Sequence, residues 1–160
     1  MAMWQKLLYV ALLVLASNAW AGDDVLVDKV WLRESVPGQE SASLQLNLTA
    51  TKPARLVGVS SPWAARVEMQ RLSPVRGKMK AQTLPGLRLS RNRTLVFGEH
   101  SFTLMMVGLK RPLKVGDHVP VSLKLEFPGK QVRVVEAEAE VRALELSYKH
   151  YEGGAVHDHR

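Results

Sequence analysis

The residues in this chain best suited to chemistry are its thioethers and imidazoles. Met105 and Met106 stand side by side in the apolar run Leu104 to Leu109, inside the stretch G-E-H-S-F-T-L-M-M-V-G-L-K-R-P-L-K-V-G-D-H-V (98–119). Side chains alternate along a strand, so the two sulfurs are expected on opposite faces, one in the core and one outside. A thioether is a soft ligand that suits Cu(I), and it is equally ordinary core filler. Five histidines accompany the methionines. His100 precedes the run, His118 lies in the G-D-H-V-P loop, and His150 and the His157-Asp158-His159 triplet lie near the C-terminus. Two imidazoles beside a carboxylate suit Cu(II) or Zn(II); a solvated loop histidine is the plainer account of each. Cysteine is absent, which excludes thiolate metal sites, cysteine nucleophiles and redox pairs. The chain has no Gly-x-Ser-x-Gly elbow, no phosphate-cradling glycine loop and no His-Glu-x-x-His, so an enzyme is not expected.

Around these residues the pattern is that of short strands. Ser41 to Thr49 alternates strictly, placing Ala42, Leu44, Leu46 and Leu48 on one side, and Val119 to Phe127 alternates as cleanly. Asp24 to Arg33, Ala54 to Val59, Ala65 to Leu72, Thr94 to Phe97 and Gln131 to Leu146 complete a set of about eight strands with Leu104 to Leu109. The Glu136 to Glu140 piece has helical propensity but continues a period of two from the Pro128-Gly129 turn, so it is read as strand. Ser73 to Lys78 reads as a turn and Met79 to Leu89 as irregular. No stretch argues for a helix. The expectation is one all-β domain, a Greek-key sandwich or barrel spanning 22–147, followed by a tail (148–160) without periodicity.

The N-terminus reads as a signal peptide over residues 1–21: Lys6, the apolar core Leu7 to Leu15, then Ala19-Trp20-Ala21 as cleavage box. Export and the lack of cysteine fit a bacterial periplasm better than a disulfide-rich secreted fold. The net charge of +7 would suggest nucleic acid in a cytosolic protein. An exported one meets an acidic partner or an anionic membrane surface instead, at most as peripheral contact, or uses the charge for solubility.

Five segments in order carry a more specific signal: V-P-G-Q-E-S-A-S-L (36–44), R-L-V-G-V-S-S-P (55–62), V-E-M (67–69), G-K-M-K (77–80) and M-V-G-L-K-R-P-L-K-V-G-D-H-V-P-V-S-L (106–123). Together they resemble the periplasmic copper chaperones of the PCu(A)C family over Val25 to Phe127. The resemblance implies a cupredoxin-like β-barrel that carries Cu(I) towards a copper-accepting membrane oxidase or another copper protein. It also implies a site of histidines and methionines, drawn from two H-x-M pieces and a methionine between them. Here Gln70-Arg71-Leu72 replaces the first piece, and Thr103-Leu104-Met105 keeps the methionine of the second without its histidine. Met79 matches the methionine between. The implied ligands are therefore Met79 and Met105, with His100, His157 and His159 as the imidazoles that would complete them for copper, as Cu(I) or as Cu(II) in the tail. Met69 is expected in the core. Arg71, Arg76, Lys78, Lys80, Arg88, Arg91 and Arg93 surround this region in sequence, and cationic charge disfavours a bound cation. The alternative is therefore a metal-free paralogue acting as a periplasmic interaction module through its basic face.

Overall fold

The computed structural model describes residues 24–98 and 101–144. The expected signal peptide, His100, and the tail with His150, His157 and His159 lie outside these residues. The described chain is all strand: β1 (Val25–Arg33), β2 (Ser41–Ala50), β3 (Ala54–Ser60), β4 (Ala64–Val75), β5 (Lys78–Leu84), β6 (Leu87–Leu89), β7 (Thr94–Phe97), β8 (Phe102–Leu109), β9 (His118–Phe127) and β10 (Gln131–Arg142). They form one sheet in the order β5-β4-β8-β7-β2-β1-β10-β9-β3-β6, with β8 also pairing to β2. The β1–β10 pair is parallel and β7 meets β8 in parallel at Phe97–Phe102; the other pairings are antiparallel.

Alternation decides which face turns inward. On β2, Ala42, Leu44, Leu46, Leu48 and Ala50 are buried, and on β9 so are Val119, Val121, Leu123, Leu125 and Phe127. Leu104 and Met106 of β8 join them, as do Leu32, Phe97, Ala139 and Val141. Each large apolar side chain removed from water stabilises the fold by about 1.5–3 kcal/mol.

The sheet is rolled. Its two terminal strands, β5 and β6, are separated in sequence only by Pro85 and Gly86. Three peptide links hold Leu84 and Leu87 within about 11 Å of each other. The β3–β4 corner at Ser61 to Trp63 crosses the same seam. Gly86 is needed there: a Cβ at this position would lie 2.6 Å from Arg55 Nε and 2.9 Å from the Leu56 carbonyl oxygen. The result is the cupredoxin-like barrel expected from the sequence.

The Gly108–Val119 segment locks this barrel. Gly108 has φ +70°, and a Cβ on it would meet the Ala65 Cβ at 2.8 Å. The Lys110 N–H donates to the Trp63 carbonyl, while Arg111 stacks on the Trp63 ring at 3.3 Å. Leu113 is buried, and its N–H donates to Ser35 Oγ at 2.8 Å. Asp117 Oδ2 accepts from the Lys114 N–H, closing the loop on itself.

Two expectations need correction. The described residues form ten strands where eight were read, the additions being β5 and β6. The turn expected over Ser73 to Lys78 contracts to Arg76-Gly77, both at positive φ (51° and 78°), as a two-residue hairpin of the primed type requires. Residues on either side of it are paired, Val75 with Lys78 and Pro74 with Met79. β5 is exposed along nearly its whole length, so it had no buried side to mark as alternation.

Candidate metal centre

The positions at which the resemblance places the histidines lie on β4 and β8, which run antiparallel in unbroken register. Gln70 and Thr103, the two positions at which histidine is expected, are direct partners across the pair. Met105 follows two residues along β8, on the same outward side. It is partnered by Glu68 on β4 and by Ser43 on β2. Next in line come Arg66, Val107 and Ser41. Met106 on the opposite face is fully buried and Met105 is partly exposed, as alternation requires. Met69 is 6% exposed and belongs to the core.

The outer face is closed by its own hydrogen bonds. Glu68 Oε1 accepts from Arg66 Nε at 2.8 Å, and Oε2 accepts from Gln70 Nε2 at 3.0 Å. Arg66 and Gln70 together hold the Glu68 carboxyl below its ordinary pKa, so the group is a carboxylate at neutral pH. Thr103 is buried, with its hydroxyl donating to the Gly98 carbonyl at 3.0 Å. The Gly98 N–H in turn donates to the Phe102 carbonyl, and the Leu72 N–H to that of Ser101. Gln45 Nε2 donates to Ser43 Oγ at 3.1 Å on the far side of Met105. One thioether beside one carboxylate, each of whose oxygens already accepts a hydrogen bond, is a sparse donor set. Among the described residues, no three His, Cys, Asp or Glu side chains converge as a metal cluster.

Met79 does not join this set. It pairs with Pro74, six residues along β4 from the Glu68 that faces Met105. At about 3.3 Å per residue the two sulfurs belong to positions about 20 Å apart along the strand. Met79 is 60% exposed, near the tip of the β4–β5 hairpin. The expected two-thioether site is therefore divided, because the hairpin carries one methionine away from the other. His118 lies beside Glu138, Nδ1 to Oε2 3.9 Å, at the start of β9 and away from these positions. The basic residues divide too: Arg71, Arg76, Lys78 and Lys80 stay on the hairpin, whereas Arg88, Arg91 and Arg93 lie on and after β6. Sequence reasoning missed Glu68 and Ser43, which only the cross-strand register identifies.

Leu144, the last described residue before the C-terminal segment, lines a cavity of about 140 Å³ with Ser43, Gln45, Ala42, Glu34, Gln39 and Arg33. Its N–H donates to Glu34 Oε1 at 2.9 Å. The last described residue thus lies beside Ser43, the β2 partner of Met105.

Residues 25–139 match the family model described as "Putative lipoprotein LpqE-like". A curated relative, "Putative lipoprotein Lxx21020" of Leifsonia xyli subsp. xyli, is 27% identical over 103 residues. That match covers 64% of this chain and 62% of the relative. Among solved structures, the apo PCuAC domain from PmoF1 superposes with a TM-score of 0.59 at 16% identity, covering 76% of this chain and 95% of that one. The copper-bound PCuAC domain from PmoF2 gives 0.56 at 18% identity, covering 77% and 97%. Cu(I)-DR1885 from Deinococcus radiodurans gives 0.58 at 25% identity, covering 79% and 83%. Sequence and fold converge: the chain belongs to the LpqE-like family and is built on the cupredoxin-like fold of PCuAC domains.

Proposed function

We propose that this protein is a copper-binding carrier of the PCuAC type, exported to the periplasm, that passes copper to a copper-accepting membrane oxidase or another copper protein. The observation that carries this reading is the place of Met105, beside the directly opposed Gln70–Thr103 pair. This reading takes the Gln70–Thr103 pair as the place of the two histidines that the resemblance implies, with Met105 as a methionine of the same set. The copper-bound relatives PmoF2 and DR1885 support it. So does the lipoprotein description of the family, which suits an exported protein.

In this reading copper sits at Met105, and imidazole comes from outside the two strands. His100 follows Gly98 by two residues, and the Gly98 carbonyl already holds Thr103. His157 is 13 residues beyond Leu144, a span of up to about 43 Å when extended, ample to return to Ser43. The thioether favours Cu(I), whereas His157 and His159 alone favour Cu(II). Such weak, exchangeable ligation suits a carrier.

Titration of the chain with Cu(I) against a competing chelator tests this. One-to-one binding is expected, lost in Met105→Ala, weakened in His100→Ala or on deletion of 151–160, and kept in Met79→Ala. Absence of any stoichiometric binding sinks the reading. It would leave a metal-free interaction module, which one observation favours: Glu68 already accepts from Arg66 and Gln70, and Thr103 already donates to the Gly98 carbonyl, without a metal.

A further inference from the structure

We infer that the β4–β5 hairpin is a membrane-docking arm that seats the protein on an anionic lipid surface. The inference goes beyond the copper reading and does not depend on it. β8 ends its pairing with β4 at Phe102–Arg71, whereas β4 and β5 continue together to Val75–Lys78. The two-stranded arm therefore runs on by four to five residues, about 15 Å, past the body of the sheet.

Its composition suits the boundary between headgroups and acyl chains. From the register, Leu72, Pro74, Met79 and Ala81 share one side of the arm, and Arg71, Lys78 and Lys80 the other, with Val75. Met79 is 60% exposed and Val75 39%, large apolar surfaces at the outer end. Arg76 occupies the turn with φ 51°, a conformation costly for a residue with a Cβ and far commoner for Asn or Gly. A cation is thus held at the tip against local backbone preference. The side chains of Arg76, Lys78 and Lys80 make no ion pair or hydrogen bond among the described residues. Between Met69 and Gly98 the sequence has seven Lys and Arg residues and no carboxylate.

Outside that stretch the sequence is balanced, with fifteen Lys and Arg against fifteen Asp and Glu. On β10, Glu136, Glu138 and Glu140 alternate outward as an acidic column, several strands away from β5 in the sheet order. An anionic surface would attract the arm and repel that column, fixing one orientation. Exposed apolar side chains beside unpaired cations distinguish a bilayer from an acidic protein, for which charge alone would serve. Long lysine and arginine stems can lie along the acyl boundary with their charges among phosphates.

Flotation of the full chain with phosphatidylcholine vesicles, with and without phosphatidylglycerol, tests the inference. Binding is expected only with the anionic lipid, and should weaken as salt rises. Each cation near such a surface contributes about fivefold in affinity, so Lys78→Glu/Lys80→Glu should lose at least about 25-fold. Val75→Ser/Met79→Ser should lose severalfold with the charge unchanged. Arg88→Glu/Arg93→Glu, an equal charge change on and after β6, should retain most of the binding. Circular dichroism on each variant confirms the fold. Wild-type binding by Lys78→Glu/Lys80→Glu overturns the proposal, as does an equal loss in Arg88→Glu/Arg93→Glu, which would mean only net charge. Indifference to Val75→Ser/Met79→Ser, with equal binding to soluble polyglutamate, overturns it in favour of an acidic protein partner.

Discussion

Placing histidine at both Gln70 and Thr103 tests whether the proposed metal centre lies there. In Gln70→His/Thr103→His, two imidazoles arise from directly opposed residues, whose Cβ atoms in an antiparallel pair stand about 4.5–5.5 Å apart. That spacing lets both rings reach one ion, with Met105 two residues further along β8 as the third ligand. The metal-free variant should be weakened. Thr103 is buried, so a larger ring costs about 1–3 kcal/mol of overpacking, and losing its bond to the Gly98 carbonyl costs about 1 more. For a domain of this size that total, roughly 2–4 kcal/mol, lowers Tm by about 8–16 °C. Copper at a hundred times its Kd returns about 2.7 kcal/mol, or about 10 °C. Calorimetry with and without Cu(I) should therefore show a low Tm that copper largely rescues in the variant, and a smaller copper-induced rise in wild type, which has the poorer ligand set. Adding Met105→Ala should abolish the rescue. A variant that copper does not stabilise, or whose rescue ignores Met105, would show that these three positions do not form a site.

Three further outcomes follow from the packing and the charges. Gly108→Ala should lose about 2–4 kcal/mol in urea unfolding, because it meets Ala65 at 2.8 Å in a left-handed backbone; Ala65→Gly should recover only the steric part. Arg111→Ala should remove about 0.5–1 kcal/mol and alter Trp63 fluorescence, since the guanidinium covers that ring at 3.3 Å. Asp24, bonded by Thr51 and paired with Arg133 and Lys52, has its pKa lowered in the fold. A carboxyl lowered on folding contributes stability above its unfolded pKa and loses it as pH falls through the folded value. Asp24→Asn should thus weaken the protein at pH 7 and make little difference at about pH 2, measured by urea midpoint at each pH.

Much of the barrel was legible because burial leaves a period in the sequence. β2 and β9 alternate strictly, and every inward position read from that alternation in Ser41 to Thr49 is buried. β10 was legible against its helical propensity, because the Pro128-Gly129 turn sets a pairing partner in β9. β5 left no such trace, being wet on both faces, and the Arg76-Gly77 turn carries an arginine where a primed turn favours Asn or Gly. The methionines show the limit more sharply. Their types and order suggested one site, and only the β4 register shows that Met79 and Met105 are too far apart to share a ligand. Likewise, nothing about Glu68 in sequence marks it as the neighbour of Met105.

The seam has a consequence for how the molecule breathes. Between β5 and β6 the barrel is held by the Pro85-Gly86 link and by packing, since these strands terminate the hydrogen-bonded order. Ladder bonds elsewhere must break together, but here a small parting of two rims exposes few amides. Opening of this kind draws on local rather than global free energy, so amide exchange should be fastest along β5 and β6 and slowest in β2, β9 and β10. An opened rim would ordinarily be a template for other chains. A three-residue β6 and a β5 bearing Lys78 and Lys80 make poor templates, so the barrel can loosen without recruiting its neighbours into a fibre.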